Sequence, residues 1–289
     1  MNVPIKKLKT GFEMPVIGLG TWLMGGNKLR NPNNDDEKDI KAVKEAISVG
    51  ITHLDTAENY AEGWAEKIVG KAIKNYKRDN LFITSKVDKT NLHFNDVINA
   101  CKNSLGRLGT NYLDLYLIHA PNDEVPIEET MRAMDQLVTD GLVKNIGVSN
   151  FKTGRLIEAQ KYTKNKIVAN QVFYNLVERE PEIDGLLDYV QKNDVLLTAY
   201  RPIGKGALLE NVPQIIKDLS KKYNKSFAQI MLNWLMSQEN VVTVTKMAKL
   251  EHVKENLGAI GWQLEKPDIE KLRKEFPNQI NHSDVLPLR

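Results

Sequence analysis

Eight short β-branched runs recur along this 289-residue chain at intervals of a few tens of residues, and nearly every one ends in a polar side chain. In order they are VIGLGT (16–21), ITHLDT (51–56), LFITSK (81–86), LDLYLIH (113–119), KNIGVSN (144–150), IVANQ (167–171), VLLTAY (195–200) and VVTVTK (241–246). Amphipathic helical stretches separate them. Strand and helix therefore alternate throughout, and a parallel sheet closed by right-handed crossovers is the arrangement that buries both. Eight such units predict an α/β fold, a (β/α)8 TIM barrel. In that fold catalytic groups sit where strands end, on the face built by the βα loops. Asp55, Lys86, His119, Asn150, Gln171, Tyr200 and Lys246 are thereby predicted to converge on one mouth.

Period and punctuation locate the helices. Asp35 and Asp36 precede Ile40, Val43, Ala46 and Ile47, and Gly50 follows, which reads as an acidic first turn, an apolar stripe and a glycine stop. Residues 65–76 repeat the pattern, and Met131, Met134, Leu137 and Val138 lead to Gly141; methionines at this spacing are helix packing. Ahead of the barrel, IKKLKTGFEMPVIG holds two short β runs around Thr10 and Gly11, predicting an N-terminal β-hairpin that plugs the far end. Helical stretches at 213–223 and 267–276 exceed what eight units need, so extra C-terminal helices are expected, with the tail beyond Phe276 folding over the mouth. No linker interrupts the pattern, and residues 1–289 are expected to form a single domain.

Composition narrows the functional classes. Acidic residues (37) nearly balance basic ones (40), and the lysines are scattered along helix faces, so no nucleic-acid or membrane-surface stripe is expected. No run approaches the roughly 18 apolar residues of a membrane span, and the first residues lack the apolar core of a signal peptide. A soluble, cytoplasmic monomer is expected. The one cysteine, Cys101, rules out an internal disulfide and lies at helical spacing with Val97, Ile98, Leu105 and Leu108, as a buried residue would.

The predicted mouth carries a recognisable chemistry. Asp55 and Lys86 end consecutive strands, so they should pair and hold the lysine protonated. Tyr60, in the loop after Asp55, reaches the same place. An ammonium beside it is expected to lower a phenol pKa that is otherwise about 10, making a useful general acid. His119 adds a second donor. These groups suit protonation of a carbonyl oxygen while a hydride adds to its carbon, and none of them supplies the hydride. Ser149, Asn150 and Gln171 offer groups able to hold a carboxamide, and Tyr200 offers a ring face for a flat heterocycle, which are the needs of nicotinamide. Lys246 ends the last strand, where a barrel often binds phosphate. The glycines of GLGTW imitate a dinucleotide fingerprint, but its sixth position is Leu23 and no helix follows directly.

The segments LKTGFEMPVIGLGTW, HLDTAENY, ITSKV, LDLYLIHAP, GLVKNIGVSNF, NQVFYN, LLTAYRPIGKG and TKMAKLEHVKEN together make the chain resemble the aldo-keto reductase family across almost its whole length. Each is weak alone; eight in order, at the ends of successive predicted strands, are specific. The resemblance implies a catalytic tetrad of Asp55, Tyr60, Lys86 and His119, with Tyr60 as proton donor. It implies carboxamide binding by Ser149, Asn150 and Gln171, nicotinamide stacking on Tyr200, and an extended NADPH across the mouth. Gly20, Thr21, Arg201, Lys246, His252 and Asn256 complete the cofactor contacts it suggests. The activity implied is NADPH-dependent reduction of a small-molecule aldehyde or ketone.

Several positions depart from the family pattern. Where NADP-dependent members commonly follow the lysine with Ser, and carry Arg a few residues on, this chain has Met247 and His252, and a largely neutral histidine cannot replace the arginine fork. NADPH is expected, with NADH as the alternative. Arg201 stands where Ser is common and, with Lys205, either approaches the pyrophosphate or lies in a solvated loop. Ala120 stands where many relatives carry Trp, which predicts a wider pocket, with Trp22 and Trp64 as candidate aromatic walls; packing is the other reading of each, Trp64 lying near the start of an amphipathic helix. His53 shares a strand face with Asp55 and reads as a buried polar residue. No histidines show metal-ligand spacing, and no metal is expected. A Schiff-base lyase built on Lys86 would need a neutral lysine, which Asp55 opposes. A nucleotide-binding regulatory subunit on the same fold is the remaining alternative.

Overall fold

A computed structural model describes residues 3–277, 279–284 and 286–289, with Lys205 described in its backbone alone. The chain opens with an antiparallel hairpin of β1 (Ile5–Lys7) and β2 (Glu13–Pro15). It continues through β3 (Ile17–Gly20), α1 (Asp36–Ser48), β4 (His53–Asp55), α2 (Trp64–Ile73), β5 (Phe82–Val87), α3 (Phe94–Leu108), β6 (Leu115–Ile118) and α4 (Ile127–Thr139). Next come β7 (Ile146–Ser149), α5 (Thr153–Lys161), β8 (Ile167–Phe173), the short α6 (Glu180–Ile183), α7 (Leu186–Lys192) and β9 (Leu196–Tyr200). Helices α8 (Gln214–Tyr223) and α9 (Phe227–Met236), β10 (Val241–Thr245), α10 (Leu250–Leu257) and α11 (Lys266–Glu275) complete it. Strands β3 to β10 pair in parallel with their neighbours, and β10 pairs back with β3, closing the barrel. All eight β-branched runs are strands of a (β/α)8 barrel.

Alternation along each strand decides what faces inward. In β6, Leu115 and Leu117 join a cluster inside the barrel while Tyr116 and Ile118 pack outward under the helices. His119, next in the inward series, therefore emerges at the mouth. In β4, His53 and Asp55 take the inner positions around the outward Leu54. A β-carbon on Gly18 would fall 2.2 Å from His53 Nδ1, so this glycine makes room for the imidazole, which bonds Thr84 Oγ1 at 3.0 Å. Burial pushes the His53 pKa down to about 4.

The far end is closed from below. Leu8, Phe12 and Met14 of the hairpin are buried against Leu115, Leu117, Leu196 and Val242, each apolar side chain contributing about 2 kcal/mol by leaving water. The outer helices carry the apolar stripes that the period predicts, and Asp35 caps α1 by accepting from the Lys38 amide. Helix α2 ends at Ile73 rather than near residue 76, where the chain tightens into a 3-10 turn over Arg78–Asn80. The additional helices α8 and α11 lie together, tied by Lys222 to Glu265 and Asp268. Cys101 is fully buried in α3, and burial pushes its thiol up to about 12.

The tail returns to the mouth. Arg179 donates its amide to Ile280 O, Leu288 N donates to the buried Glu180 carboxylate, and Arg289 N donates to Asn150 O. No helix among the described residues is long and apolar enough to cross a membrane.

Candidate active site

Asp55, Tyr60, Lys86 and His119 meet at the mouth. Lys86 is wholly buried and donates to Asp55 Oδ1 at 2.6 Å and to Thr56 O at 2.8 Å, with Tyr60 OH 3.4 Å away. Burial alone would lower its pKa, but the Asp55 carboxylate and the Tyr60 hydroxyl outweigh burial and raise it, so the side chain is an ammonium. An imine-forming lysine would have to be neutral, and this one is not. The His119 ring lies 5.6 Å from the Tyr60 ring, edge to face. Burial and the Lys86 charge push its pKa down to about 3, leaving a neutral imidazole. Its Nδ1 is buried and has no hydrogen-bond partner among the described residues.

One expectation is corrected. The sequence places a lysine beside Tyr60 and predicts a lowered phenol pKa; in the folded chain burial raises it, outweighing the opposing Lys86 charge, while Asp55 raises it further. Tyr60 is thus held as a neutral phenol in the free protein. Strand spacing reveals neighbours but not the dielectric between them.

The turn that carries Tyr60 is held from outside. Residues Ala61 (φ 49°) and Glu62 (φ 56°) are both left-handed, a conformation that is unfavourable for residues with a β-carbon and persists only where the surroundings impose it. Ala61 N donates to Asn27 O at 2.7 Å and Glu62 N to Lys28 O at 3.1 Å, while Arg30 N donates to Glu62 Oε2. Arg30 forks onto Asp36 and covers the Trp64 ring at 4.4 Å, and Trp64 Nε1 donates to Asp36 at 2.6 Å. Trp64, for which the sequence leaves a pocket wall or helix packing open, packs against the core and also carries Lys67 over its ring at 4.1 Å. Trp22 does stand against Tyr60, with ring centroids 4.8 Å apart. Ala120 follows His119 at the partly exposed rim. Glu58, given no role by the sequence reading, ties the loops after β4 and β5 by accepting from the Asp88 amide and from Asn91.

The groups expected to hold a carboxamide lie together at the ends of β7 and β8. Ser149 Oγ donates to Gln171 O at 2.7 Å; Asn150 (φ 63°) donates through Nδ2 to His119 O and Ser149 Oγ, and accepts from Tyr200 OH at 2.8 Å. Gln171 Nε2 donates to Asp55 Oδ2 at 2.8 Å. Tyr200 lies parallel to Phe173 at 5.7 Å, and the Arg201 guanidinium sits over the Phe173 ring. Thr21 spends its hydroxyl on Asp55 O, and a β-carbon on Gly20 would meet only the Thr245 backbone, at 3.8 Å.

Beyond Tyr200 the series runs to Lys246, which is exposed, and to α10, whose first amides have no side-chain cap. His252 is exposed on α10 and Asn256 buried within it. Met247 is wholly buried in the core, so this position cannot offer a hydroxyl-like contact without repacking. The Lys205 side chain, read with Arg201 as either approaching the pyrophosphate or lying in a solvated loop, lies outside the described residues.

A neutral phenol against a buried ammonium, a neutral imidazole beside it and an amide cluster at adjacent strand ends define a carbonyl-reductase type of site on a (β/α)8 barrel. Residues 16–275 match the Aldo/keto reductase family, and the chain belongs to it. It is 35% identical over 269 residues to the methylglyoxal reductase YeaE of Escherichia coli (strain K12), covering 92% of each protein. The structure of the thermostable aldo-keto reductase Tm1743, solved with the inhibitor epalrestat, superposes with a TM-score of 0.90 at 44% identity, covering 93% of this chain and 98% of that one. An aldo/keto reductase from Klebsiella pneumoniae, solved with NADP and acetate, superposes over the full length of both chains with a TM-score of 0.86 at 32% identity.

Proposed function

We propose that this protein reduces small aldehydes, 2-oxoaldehydes among them, to alcohols with NADPH, using Tyr60 as general acid. The observation that carries the reading is the Tyr60–Lys86–Asp55 line, in which a phenol held neutral lies 3.4 Å from a buried ammonium paired to a carboxylate at 2.6 Å. A methylglyoxal reductase among the relatives supports the substrate class, and a structural neighbour solved with NADP supports the cofactor.

The residues fit such a cofactor. Gln171 Oε1 accepts no hydrogen bond among the described residues and is an acceptor for a carboxamide N–H; Ser149 and Asn150 adjoin it. Tyr200 supplies the ring face, Gly20 leaves space, and Arg201, Lys246 and the uncapped amides of α10 supply positive potential for phosphates. The bound dihydronicotinamide supplies the hydride. Tyr60 gives its proton to the carbonyl oxygen as negative charge develops there, and Lys86 stabilises the phenolate left behind. Asp55 keeps Lys86 charged. His119, neutral, orients the carbonyl through a ring N–H. Trp22 walls the pocket beside Tyr60, and Ala120 leaves its rim open. We take the chain to act as a single-domain cytoplasmic monomer.

Initial rates over a panel of 2-oxoaldehydes, simple aldehydes and ketones, with NADPH and with NADH, test the reading. Turnover of aldehydes with NADPH is expected; tight nucleotide binding without turnover of any member would favour a regulatory subunit instead.

A further inference from the structure

Among the side chains at the mouth, Gln171 makes a contact that cofactor binding does not require. It lies near the end of β8, two residues before the strand ends at Phe173, and Asp55 ends β4; in the closed order these strands are separated by three others on either side, so the 2.8 Å bond from Gln171 Nε2 to Asp55 Oδ2 crosses the centre of the barrel. Both residues are buried. Asp55 divides its oxygens, with Oδ1 taking Lys86 and Oδ2 taking Gln171, and no other donor reaches Oδ2 among the described residues. The opposite amide orientation would set two oxygens against each other, which fixes Nε2 on Asp55 and leaves Oε1 for the mouth. The Gln171 backbone is itself pinned, its carbonyl accepting from Ser149 Oγ and from the Asn150 amide.

We propose that Gln171 is a positioning residue for the proton donor: its amide completes a hydrogen-bonded line from the ends of β7 and β8 through Asp55 and Lys86 to Tyr60. The side chain assigned to grip the cofactor carboxamide thereby also governs how readily Tyr60 releases its proton. This rests on the reductase reading above. The mechanism is electrostatic. A donor on Oδ2 offsets part of the Asp55 charge, leaving more of the Lys86 field to act on Tyr60; without it, Asp55 draws on Lys86 alone. The charged and titratable groups facing Tyr60 are Lys86 from β5, Asp55 from β4, His119 after β6, and Arg201 and Tyr200 at the end of β9. Of these, Gln171 bonds only Asp55.

Gln171→Met removes the donor at similar volume. In reduction, kcat needs the protonated phenol, so its alkaline limb follows Tyr60; losing the donor should move that limb upward by about half a pH unit and, because half a unit is at most about threefold in proton-donating power, lower kcat by about two- to threefold. Profiles are taken at saturating NADPH, so a purely cofactor-binding role appears in KM and leaves the limb in place. In an Asp55→Asn background the same substitution should move nothing. A limb unmoved by Gln171→Met, or moved equally in both backgrounds, overturns the proposal. Gln171→Leu gives a second check should Asp55→Asn be too slow to profile, because it also removes the donor without adding a charge and must move the limb in the same direction and by a similar amount, and an unmoved limb also overturns the proposal. Absence of turnover in the unsubstituted protein would instead count against the reductase reading itself.

Discussion

Replacing Lys86 with methionine should separate what the buried ion pair does for catalysis from what it does for the fold. A full phenolate charge 3.4 Å from the ammonium is stabilised by about 5 kcal/mol at an effective dielectric of about 20. If roughly half of that charge has developed in the transition state, the loss is about 2.5 kcal/mol, or roughly 60-fold in rate. Asp55 then faces the site uncompensated except by Gln171, which pushes the deficit higher, toward the loss of about 10²- to 10⁴-fold expected when general acid catalysis fails. Stability should fall too, by about 3–5 kcal/mol, because one partner of a fully buried pair is removed. For a chain of this size that is a drop in Tm of roughly 10 °C. The double variant Lys86→Met with Asp55→Asn should regain most of the Tm and none of the rate. The assay is kcat/KM for an aldehyde from the loss of NADPH absorbance, with thermal unfolding alongside. A single variant within about fivefold of the parent rate, or a double variant that recovers rate together with Tm, would refute this reasoning.

Two further outcomes are expected. His53 has a pKa lowered to about 4, so between pH 6.5 and 4 the unfolded chain takes up a proton that the folded chain does not, and stability declines as pH falls through that window; His119, at about 3, acts with the same sign. Urea unfolding from pH 7 to 5 should show this decline, and His53→Asn should flatten it; parallel slopes would contradict the assignment. At the other end of the site, His252→Arg adds a guanidinium on the exposed face of α10 and should lower KM for NADPH about tenfold while leaving NADH unchanged, whereas equal changes for both cofactors would place the residue away from the 2′-phosphate.

What the sequence made legible follows from periodicity. Strand runs ending in Asp55, Lys86, His119, Ser149 and Asn150, Gln171 and Tyr200 name the mouth, because a parallel barrel sends every strand end to one face. The hairpin plug was readable from two short β runs around Thr10 and Gly11, and the fold shows Leu8, Phe12 and Met14 as the side chains that do the closing. Tertiary detail was not. The left-handed turn at Ala61 and Glu62 is imposed by the Asn27–Arg30 segment, which has no period of its own. The sequence leaves Trp64 between a pocket wall and helix packing, and only the fold shows Arg30 and Asp36 bound to its indole. The raised pKa of Tyr60 depends on burial, a sum over many surrounding atoms that no pairwise spacing contains. The bond from Gln171 to Asp55 joins residues 116 positions apart on opposite strands, and only closure of the barrel brings them together.

The central claim is that Tyr60 donates the proton. Tyr60→Phe removes one hydroxyl from a buried ring that packs against Trp22 and His119, so the fold and the cofactor site should survive. We predict that this variant binds NADPH with a Kd close to that of the parent and loses at least about 10²-fold in kcat for aldehyde reduction at neutral pH. Retention of more than about a tenth of the parent kcat, with cofactor binding intact, would contradict the account and assign the proton to another group.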